Sequence, residues 1–540
     1  DCSVAANADP VFTSTPITSG ALGTAYSYTI TATDADGDAL TFTGTIIPDW
    51  LTITDNGDNT ASLTGTPTIA GTYSVVITVD DGNGGTTTQS FDIELPSYYW
   101  VGDGGDWNDL SHWVTSSGGS TNHTSIPSIN DDVYFNANSF SATGQTVSIS
   151  AVVADCKSMD WTGVTNAPTF DVSNSLSVYG SFTLVDNMTL SGGSSISFKS
   201  TSVGNTITFS THSSNRDIYF NGVGGEWTMQ DSLIQTANLN RLQIDNGTIN
   251  TNGNTIQTGR FTLNGTSTLN MSSSILRIFY RADINSSNFN AGTSKIYGIR
   301  QSSSSVTGYI NSSFDLYDFI NESVSSGAFE LRGSGNYNKI TQNSPTSTLT
   351  LKGNTADSII AESGTTLRLD GTVTVNDYLE MNGTCSILSN LSGTGTLSSV
   401  TGNILVNHTN ISNITATGGA SFVANNSYDL GGNSGWTINS TSAKDYYWVG
   451  DGGSWNDGSH WALTSGGTGS GCVPTFQDNV YFDANSFSAT GQTVSISAGV
   501  ADCKSMDWTG VTNAPTFDVS NSLSVYGSFT LVDNMTLSGG

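Results

Sequence analysis

The stretch YYWVGDGGDWNDLSHWVTSSGG, residues 98–119, places three tryptophans and a histidine among glycine, serine and aspartate. Aromatic rings beside hydroxyl and carboxylate groups can bind sugars, but the same residue types also form structural plugs. The stretch recurs at residues 446–467 as YYWVGDGGSWNDGSHWALTSGG. We call these two stretches the first and second Trp-rich motifs. Their tryptophans are Trp100, Trp107, Trp113, Trp448, Trp455 and Trp461.

The similarity between the two copies extends beyond the Trp-rich motifs. Residues 138–193 and 485–540 differ at one position, Val152 against Gly499. Such near-identity exceeds what a shared fold requires, so it indicates recent duplication or gene conversion. Because the first copy continues for far longer than the second, we expect the second copy to be cut within its fold and the parent to be a long array.

Composition restricts the class of partner. The chain has 45 acidic and 15 basic residues, which give a net charge of -30. This charge repels phosphate backbones and anionic lipid surfaces. No run of 18 apolar residues is present, and residues 1–20 lack the pattern of a secretion signal. We therefore predict no nucleic-acid partner and no membrane insertion.

Strand patterns predict the fold class. Residues 8–95 contain alternating runs such as AYSYTITAT and YSVVITV between glycine and aspartate turns, which is typical of a small antiparallel sandwich. From Val133 onward, short triplets recur about every twenty residues, with apolar pairs such as Leu242 and Ile244, then Phe261 and Leu263. Polar turns too short for a helical crossover favour stacked parallel strands.

The sequence therefore predicts an all-β chain. We expect an immunoglobulin-like β-sandwich at residues 1–96, followed by right-handed parallel β-helix modules in tandem. The first module, with its Trp-rich motif, spans 97–442, and a truncated second copy spans 443–540. By shape, such modules are spacers.

Each Trp-rich motif stands directly before the first coil of a β-helix, whose open edge needs a covering segment. We therefore interpret the six tryptophans as the apolar body of a cap, and His112 and His460 as hydrogen-bonding groups within it. A glycan-binding platform is the alternative interpretation.

The stretches TATDADGDALTFTG and PDWLTITDNGDNTASLTGTPTIAGTYSVVITVDDGNGG resemble cadherin-like, dystroglycan-type immunoglobulin domains of bacterial surface proteins. Cadherin relatives hold calcium in acidic clusters at domain junctions, so the resemblance implies calcium as a candidate cofactor. Turn formation is the alternative role for these acids. The candidate ligands are Asp34, Asp36, Asp38, Asp80 and Asp81.

The Trp-rich motif, followed by DDVYFNANSF and CKSMDWTG, resembles modules of giant secreted proteins of gliding and predatory marine bacteria, including gliding-motility adhesins and grappling filament proteins. This resemblance implies secretion and display on the cell surface. The resemblance does not identify which ligand is bound.

The cysteines differ between the copies. Cys156 and Cys503 correspond, whereas Cys472 aligns with Ser125. A disulfide between Cys472 and Cys503 is therefore the candidate pairing, with buried thiols as the alternative. Cys2 and Cys385 have no assigned partner.

No catalytic motif emerges. The acids between residues 133 and 440 are scattered singly, and the five histidines have no metal-ligand spacing. We expect no enzymatic activity. Two functions remain: a structural and adhesive segment of an extracellular filament that self-associates and contacts glycans or other cells, or an array of polysaccharide-binding modules.

Overall fold

The computed structural model describes residues 6–20, 23–69, 71–151, 153–237, 239–300, 307–496 and 501–539. The fold is all-β, with an immunoglobulin-like domain followed by a β-solenoid of about 18 turns. In the described part of the chain, the only helical segments are two single 3-10 turns, Leu110–His112 and Gly458–His460. Contacts divide the chain into two compact units, Asp1–Ile275 with Asn285–Gly292 and Leu276–Ile284 with Thr293–Gly540.

The immunoglobulin-like domain contains two antiparallel sheets. Strand alternation creates its core: Tyr26, Tyr28 and Ile30 are buried, whereas Ser27 and Thr29 between them are exposed. The four-stranded sheet has the order Val11–Phe12, Tyr26–Thr33, Thr60–Gly65 and Leu51–Asp55. The three-stranded sheet has the order Thr41–Ile46, Gly71–Asp80 and Thr86–Leu95.

The solenoid winds by parallel pairing of strands from successive turns. Leu349 pairs with Leu367, Leu367 with Leu391, and Leu391 with Ile411. All four side chains are completely buried, so each turn covers the apolar face of the turn before it. The predicted apolar pairs align in the same way, Leu242 beside Phe261 and Ile244 beside Leu263.

The strands that follow each Trp-rich motif have these bounds. In the first copy they are Val133–Tyr134, Thr146–Ser148, Ala154–Cys156, Met159–Asp160, Thr169–Asp171, Leu176–Val178, Phe182–Thr183, Thr189–Ser191, Ile196–Phe198, Asn205–Thr208, Ser213–Ser214, Ile218–Met229, Leu233–Gln235, Arg241–Asn250, Thr255–Leu263, Thr268–Asn270, Ile275–Ile284, Phe289–Asn290, Lys295–Gly298, Gly308–Ser312, Leu316–Asn321, Phe329–Arg332, Asn336–Gln342, Thr348–Leu351, Thr355–Ala361, Thr366–Leu369, Thr372–Asn382, Ser389–Gly393, Thr396–Ser398, Asn403–Asn407, Thr409–Ser412, Thr415–Thr417, Phe422–Asn425, Tyr428–Asp429 and Thr437–Asn439. In the second copy they are Asn479–Tyr481, Thr493–Ser495, Ala501–Cys503, Ser505–Asp507, Thr516–Asp518, Leu523–Val525, Phe529–Thr530 and Thr536–Ser538.

Asparagine side chains form ladders along the solenoid. Asn250 Nδ2 donates to Glu226 Oε1 at 2.8 Å, and Asn270 Nδ2 donates to Asn250 Oδ1 at 2.6 Å. Asn290 Nδ2 continues the ladder to Asn270 Oδ1 at 2.6 Å. An amide side chain both donates and accepts hydrogen bonds, so the asparagine of each turn bonds to the asparagine of the next turn.

Candidate functional site

The first Trp-rich motif is built into the first turn of its solenoid. Its strands are Tyr98–Trp100, Gly105–Asp106 and Trp113–Val114. Tyr98–Trp100 pairs in parallel with Val133–Tyr134, and Trp113–Val114 pairs with Tyr98–Trp100 in antiparallel orientation. The motif therefore covers the edge of the first turn by adding a strand to it.

The tryptophans of this motif form an aromatic cluster. The ring centroids of Trp100 and Trp113 are 5.0 Å apart, those of Trp107 and Trp113 are 4.8 Å apart, and both pairs meet edge to face. Trp100 Nε1 donates to the Asp103 carbonyl at 2.7 Å, and Trp113 Nε1 donates to the Trp107 carbonyl at 2.8 Å. These three tryptophans are at most 1% exposed, so none offers a ring face to a ligand.

His112 packs inside the same cluster. Its ring stacks on Trp100 with centroids 4.5 Å apart, and its Nδ1 lies 2.7 Å from the Val101 carbonyl oxygen. Gly105 is needed beside it, because a Cβ at this position would lie 2.1 Å from His112 Nε2. His112 thus contacts both the backbone of the motif, at Val101, and its aromatic cluster, at Trp100.

A short turn positions the histidine. Asp109 caps the 3-10 turn Leu110–His112 by accepting the Ser111 backbone N–H at 2.9 Å. Asp103 has a φ of 69°, and its carboxylate accepts the Ser141 backbone N–H and hydroxyl. These hydrogen bonds lower the pKa of Asp103.

The second Trp-rich motif repeats this geometry. Its strands are Asp445–Trp448, Gly453–Ser454 and Trp461–Ala462. His460 stacks on Trp448 at 4.7 Å, and Trp461 Nε1 donates to the Trp455 carbonyl at 2.8 Å. Trp448, Trp455 and Trp461 are again at most 1% exposed.

The five candidate calcium ligands do not form one group. Asp34, Asp36 and Asp38 each place a carboxylate oxygen within 4.8 Å of the others. Asp80 and Asp81 are outside this group. Asn7 Nδ2 donates to Asp81 Oδ2 at 2.7 Å, and the Ala8 backbone N–H donates to Asp36 Oδ2 at 2.8 Å. The three grouped carboxylates are hard oxygen donors that suit calcium.

The predicted Cys472–Cys503 disulfide is wrong. Cys472 instead bonds to Cys385, whereas Cys503 is a buried free thiol. The reason is the position of Cys503 on the inward face of Ala501–Cys503, where burial raises its pKa to about 12. Cys156 is buried in the same way in the first copy, and Cys2 is outside the described residues.

One cluster of titratable groups has no signal in the sequence. Asp186 accepts the Ser210 hydroxyl and the Thr211 hydroxyl, and Asp231 accepts the Phe209 and Ser210 backbone N–H groups. Burial raises the pKa of Asp231, while hydrogen bonds from Ser210 and Thr211 lower the pKa of Asp186. Both carboxylates are thus engaged in holding the turn that follows Asn205–Thr208.

The scattered acids of the solenoid are also engaged. Asp217 accepts the Arg241 backbone N–H at 2.8 Å, and Asp245 accepts from Asn264 Nδ2 at 2.9 Å. Asp283 Oδ2 lies 3.8 Å from Arg281 Nε.

Within the described ranges, none of the helical segments is long and apolar enough to cross a bilayer.

One family model matches part of the chain. The model described as "Putative Ig domain" matches residues 9–95. No curated protein matches the chain.

Partial matches exist among solved structures. The endo-fucoidan hydrolase MfFcnA9 from glycoside hydrolase family 107 matches at 34% identity over 16% of this chain and 16% of its own, with a TM-score of 0.14. The SrpA adhesin from Streptococcus sanguinis matches at 14% identity over 20% of this chain and 70% of its own, with a TM-score of 0.15. The chain spans less than a fifth of the fucoidan hydrolases that it matches.

Proposed function

We propose that this chain is a structural and adhesive segment of an extracellular filament displayed on the cell surface. The observation that carries the proposal is the tandem recurrence of Trp-rich motif and solenoid, with the tryptophans of both copies packed inside their own modules. Repetition increases reach and the number of contacts, whereas a catalytic site needs no second copy.

The surface chemistry supports self-association under defined conditions. A net charge of -30 opposes contact between chains at low ionic strength. At the ionic strength of seawater the screening length is about 4 Å, so repulsion between surface carboxylates is short-ranged. Weak contacts between identical modules then add through multivalency. Surfaces of other cells and their glycans are the outside partners of such a filament.

A cleft beside the second Trp-rich motif favours a second function, polysaccharide binding. Its volume is about 770 Å³, and its lining includes Phe476 and Tyr526 together with the amides of Asn390 and Asn410. Aromatic rings can stack on the C–H face of a sugar ring while amides hydrogen-bond its hydroxyl groups. Trp455 also lines this cleft but is only 1% exposed, so Phe476 and Tyr526 are the rings that a glycan would contact there.

Sedimentation velocity of the chain, at low salt and at about 0.5 M salt, tests the first function. We expect a monomer at low salt and concentration-dependent association at high salt, because only high salt screens the charge. A monomer under both conditions would contradict self-association.

Affinity electrophoresis in gels that contain polysaccharide tests the second function. If the cleft binds no polysaccharide, the mobility of the chain stays unchanged. Saturable retardation that Phe476→Ala abolishes, and that the exposed-site control Leu405→Ala leaves intact, would establish the polysaccharide-binding function instead.

A further inference from the structure

The second Trp-rich motif does not continue the strand ladders of the solenoid that precedes it in the described residues. Its strand Asp445–Trp448 pairs with Asn479–Tyr481 and Trp461–Ala462. In the described residues, no ladder joins it to Thr437–Asn439, the last strand of the preceding solenoid. The two modules therefore need another form of attachment.

The loop at residues 470–476 supplies that attachment. Cys472 is bonded to Cys385, and the neighbouring Gly471 carbonyl accepts the Ser386 hydroxyl. Further along the loop, the Thr475 hydroxyl lies 3.3 Å from the Tyr428 hydroxyl. The ring centroids of Phe476 and Tyr428 are 5.2 Å apart. One covalent bond and three non-covalent contacts thus hold the loop against the solenoid.

Differences between the two copies make this attachment specific to the second. Gly458 replaces Leu110, and a Cβ at Gly458 would lie 2.3 Å from the carbonyl carbon of Gly471. The missing side chain therefore lets the loop approach. Cys472 replaces Ser125, whose hydroxyl instead lies 3.0 Å from the Tyr98 hydroxyl in the first copy.

The first copy meets a different neighbour, and the contacts that the described residues make there are non-covalent. Lys157, which follows Cys156, donates to the Thr68 carbonyl of the immunoglobulin-like domain at 3.0 Å. Asn130 packs against Gly23, where a Cβ would lie 2.1 Å from Asn130 Nδ2. The start of the module thus contacts an immunoglobulin-like domain in the first copy and a solenoid in the second.

We infer that the Cys385–Cys472 bond is a covalent clamp that lets tension bypass the end of the preceding module. The disulfide spans 87 positions of the sequence. A pulling force that enters before Cys385 and leaves after Cys472 is transmitted through the sulfur–sulfur bond. The last solenoid turns and the second Trp-rich motif lie inside the closed loop, so this force does not extend them.

The inference rests on the proposed structural function, and it adds a chemical requirement. Bond formation from two thiols releases two protons and passes two electrons to a disulfide oxidant, which leaves as a dithiol. Such oxidants act outside the reducing cytosol. The clamp therefore forms in the compartment that the proposed filament occupies.

Mass spectrometry of a non-reduced digest tests the bond itself. We expect a cross-linked peptide pair that contains Cys385 and Cys472, and Cys156 and Cys503 as thiols after denaturation. A pair that contains Cys472 and Cys503 would overturn the clamp.

Single-molecule pulling of the full chain from its two ends tests the bypass. With the bond intact, the fully unfolded chain should be shorter by about 300 Å than with dithiothreitol, since each extended residue adds up to about 3.6 Å. Cys385→Ser should show the longer length without reductant, and Cys503→Ser should keep the shorter one. Equal lengths for the untreated chain and Cys385→Ser would overturn the bypass. This outcome is independent of the sedimentation result, so the two proposals fail separately.

Discussion

Each tryptophan of the first Trp-rich motif is surrounded by the chain's own groups. The indole N–H of Trp100 and of Trp113 bonds to a backbone carbonyl in the same motif, and His112 covers one face of Trp100. A sugar platform needs an accessible ring face, which these side chains lack. Residue types that suit glycan binding therefore serve packing when the fold encloses them.

The acidic group Asp34, Asp36 and Asp38 gives a prediction about calcium. Asp34 Oδ1 already accepts the Asp36 backbone N–H at 2.8 Å, which orients the group's loop. Calcium that binds only the folded domain stabilises it by about 1.4 kcal/mol at ten times its Kd. Differential scanning calorimetry of the full chain should therefore show a higher midpoint for the immunoglobulin-like domain in millimolar calcium than in chelator.

Two variants check this assignment. Asp36→Asn should lose the calcium-dependent shift, and Asp80→Asn, outside the group, should keep it. Equal midpoints of the unmodified chain in calcium and in chelator would show that these acids serve only as turn residues.

At the scale of elements, the solenoid is stabilised by repetition of one pairing. Each inward residue contacts the equivalent residue of the next turn, as Leu367 does with Leu349 and Leu391. Asparagine amides link neighbouring turns in the same direction. Stability of one turn therefore depends on its neighbours.

The asparagine ladder predicts that truncating Asn270 lowers the free energy of unfolding. Asn270→Ala removes the bond to Asn250 and the bond from Asn290, and each bond contributes about 1 kcal/mol. Urea unfolding should show a transition that is less stable by about 1–2 kcal/mol. The control Asn288→Ala removes one exposed 3.4 Å contact and should stay within about 0.5 kcal/mol. The same urea midpoint for both variants would mean that the ladder contributes no stability.

Local patterns allow these elements to be predicted. The alternation around Leu242 and Phe261 identifies inward positions, because side-chain direction in a strand depends only on neighbouring residues. The position of each Trp-rich motif before a first coil similarly predicts that its tryptophans are buried, because the edge of that coil needs a covering segment.

Long-range placement cannot be predicted in the same way. The Cys385–Cys472 pairing depends on how a loop lies against solenoid turns 87 positions away. Asp186 and Asp231 converge on Ser210 from the preceding and the following coil, so their contact depends on the register between coils. Residue type alone groups Asp80 and Asp81 with Asp34, whereas in the structure only Asp36 and Asp38 join Asp34 in a carboxylate group.

At the scale of the whole molecule, modules repeat along the chain, and the tryptophans of each Trp-rich motif are buried within its own module. In the proposed filament, length and the number of contacts increase with the number of copies, and we expect association to depend on salt because the chain carries a net charge of -30. The alternative is that the Trp-rich motifs are repeated glycan-binding sites. The two roles lead to opposite predictions for the same side chains.

The most direct test is thermal unfolding and polysaccharide binding of Trp107→Ala and Trp461→Ala, with the partly exposed Tyr378 as the control Tyr378→Ala. A structural role predicts that each tryptophan variant loses about 3–5 kcal/mol of stability in its own module, the cost of truncating a buried large aromatic. It also predicts that neither truncation removes polysaccharide binding. Unchanged melting curves together with lost polysaccharide binding would contradict the structural role.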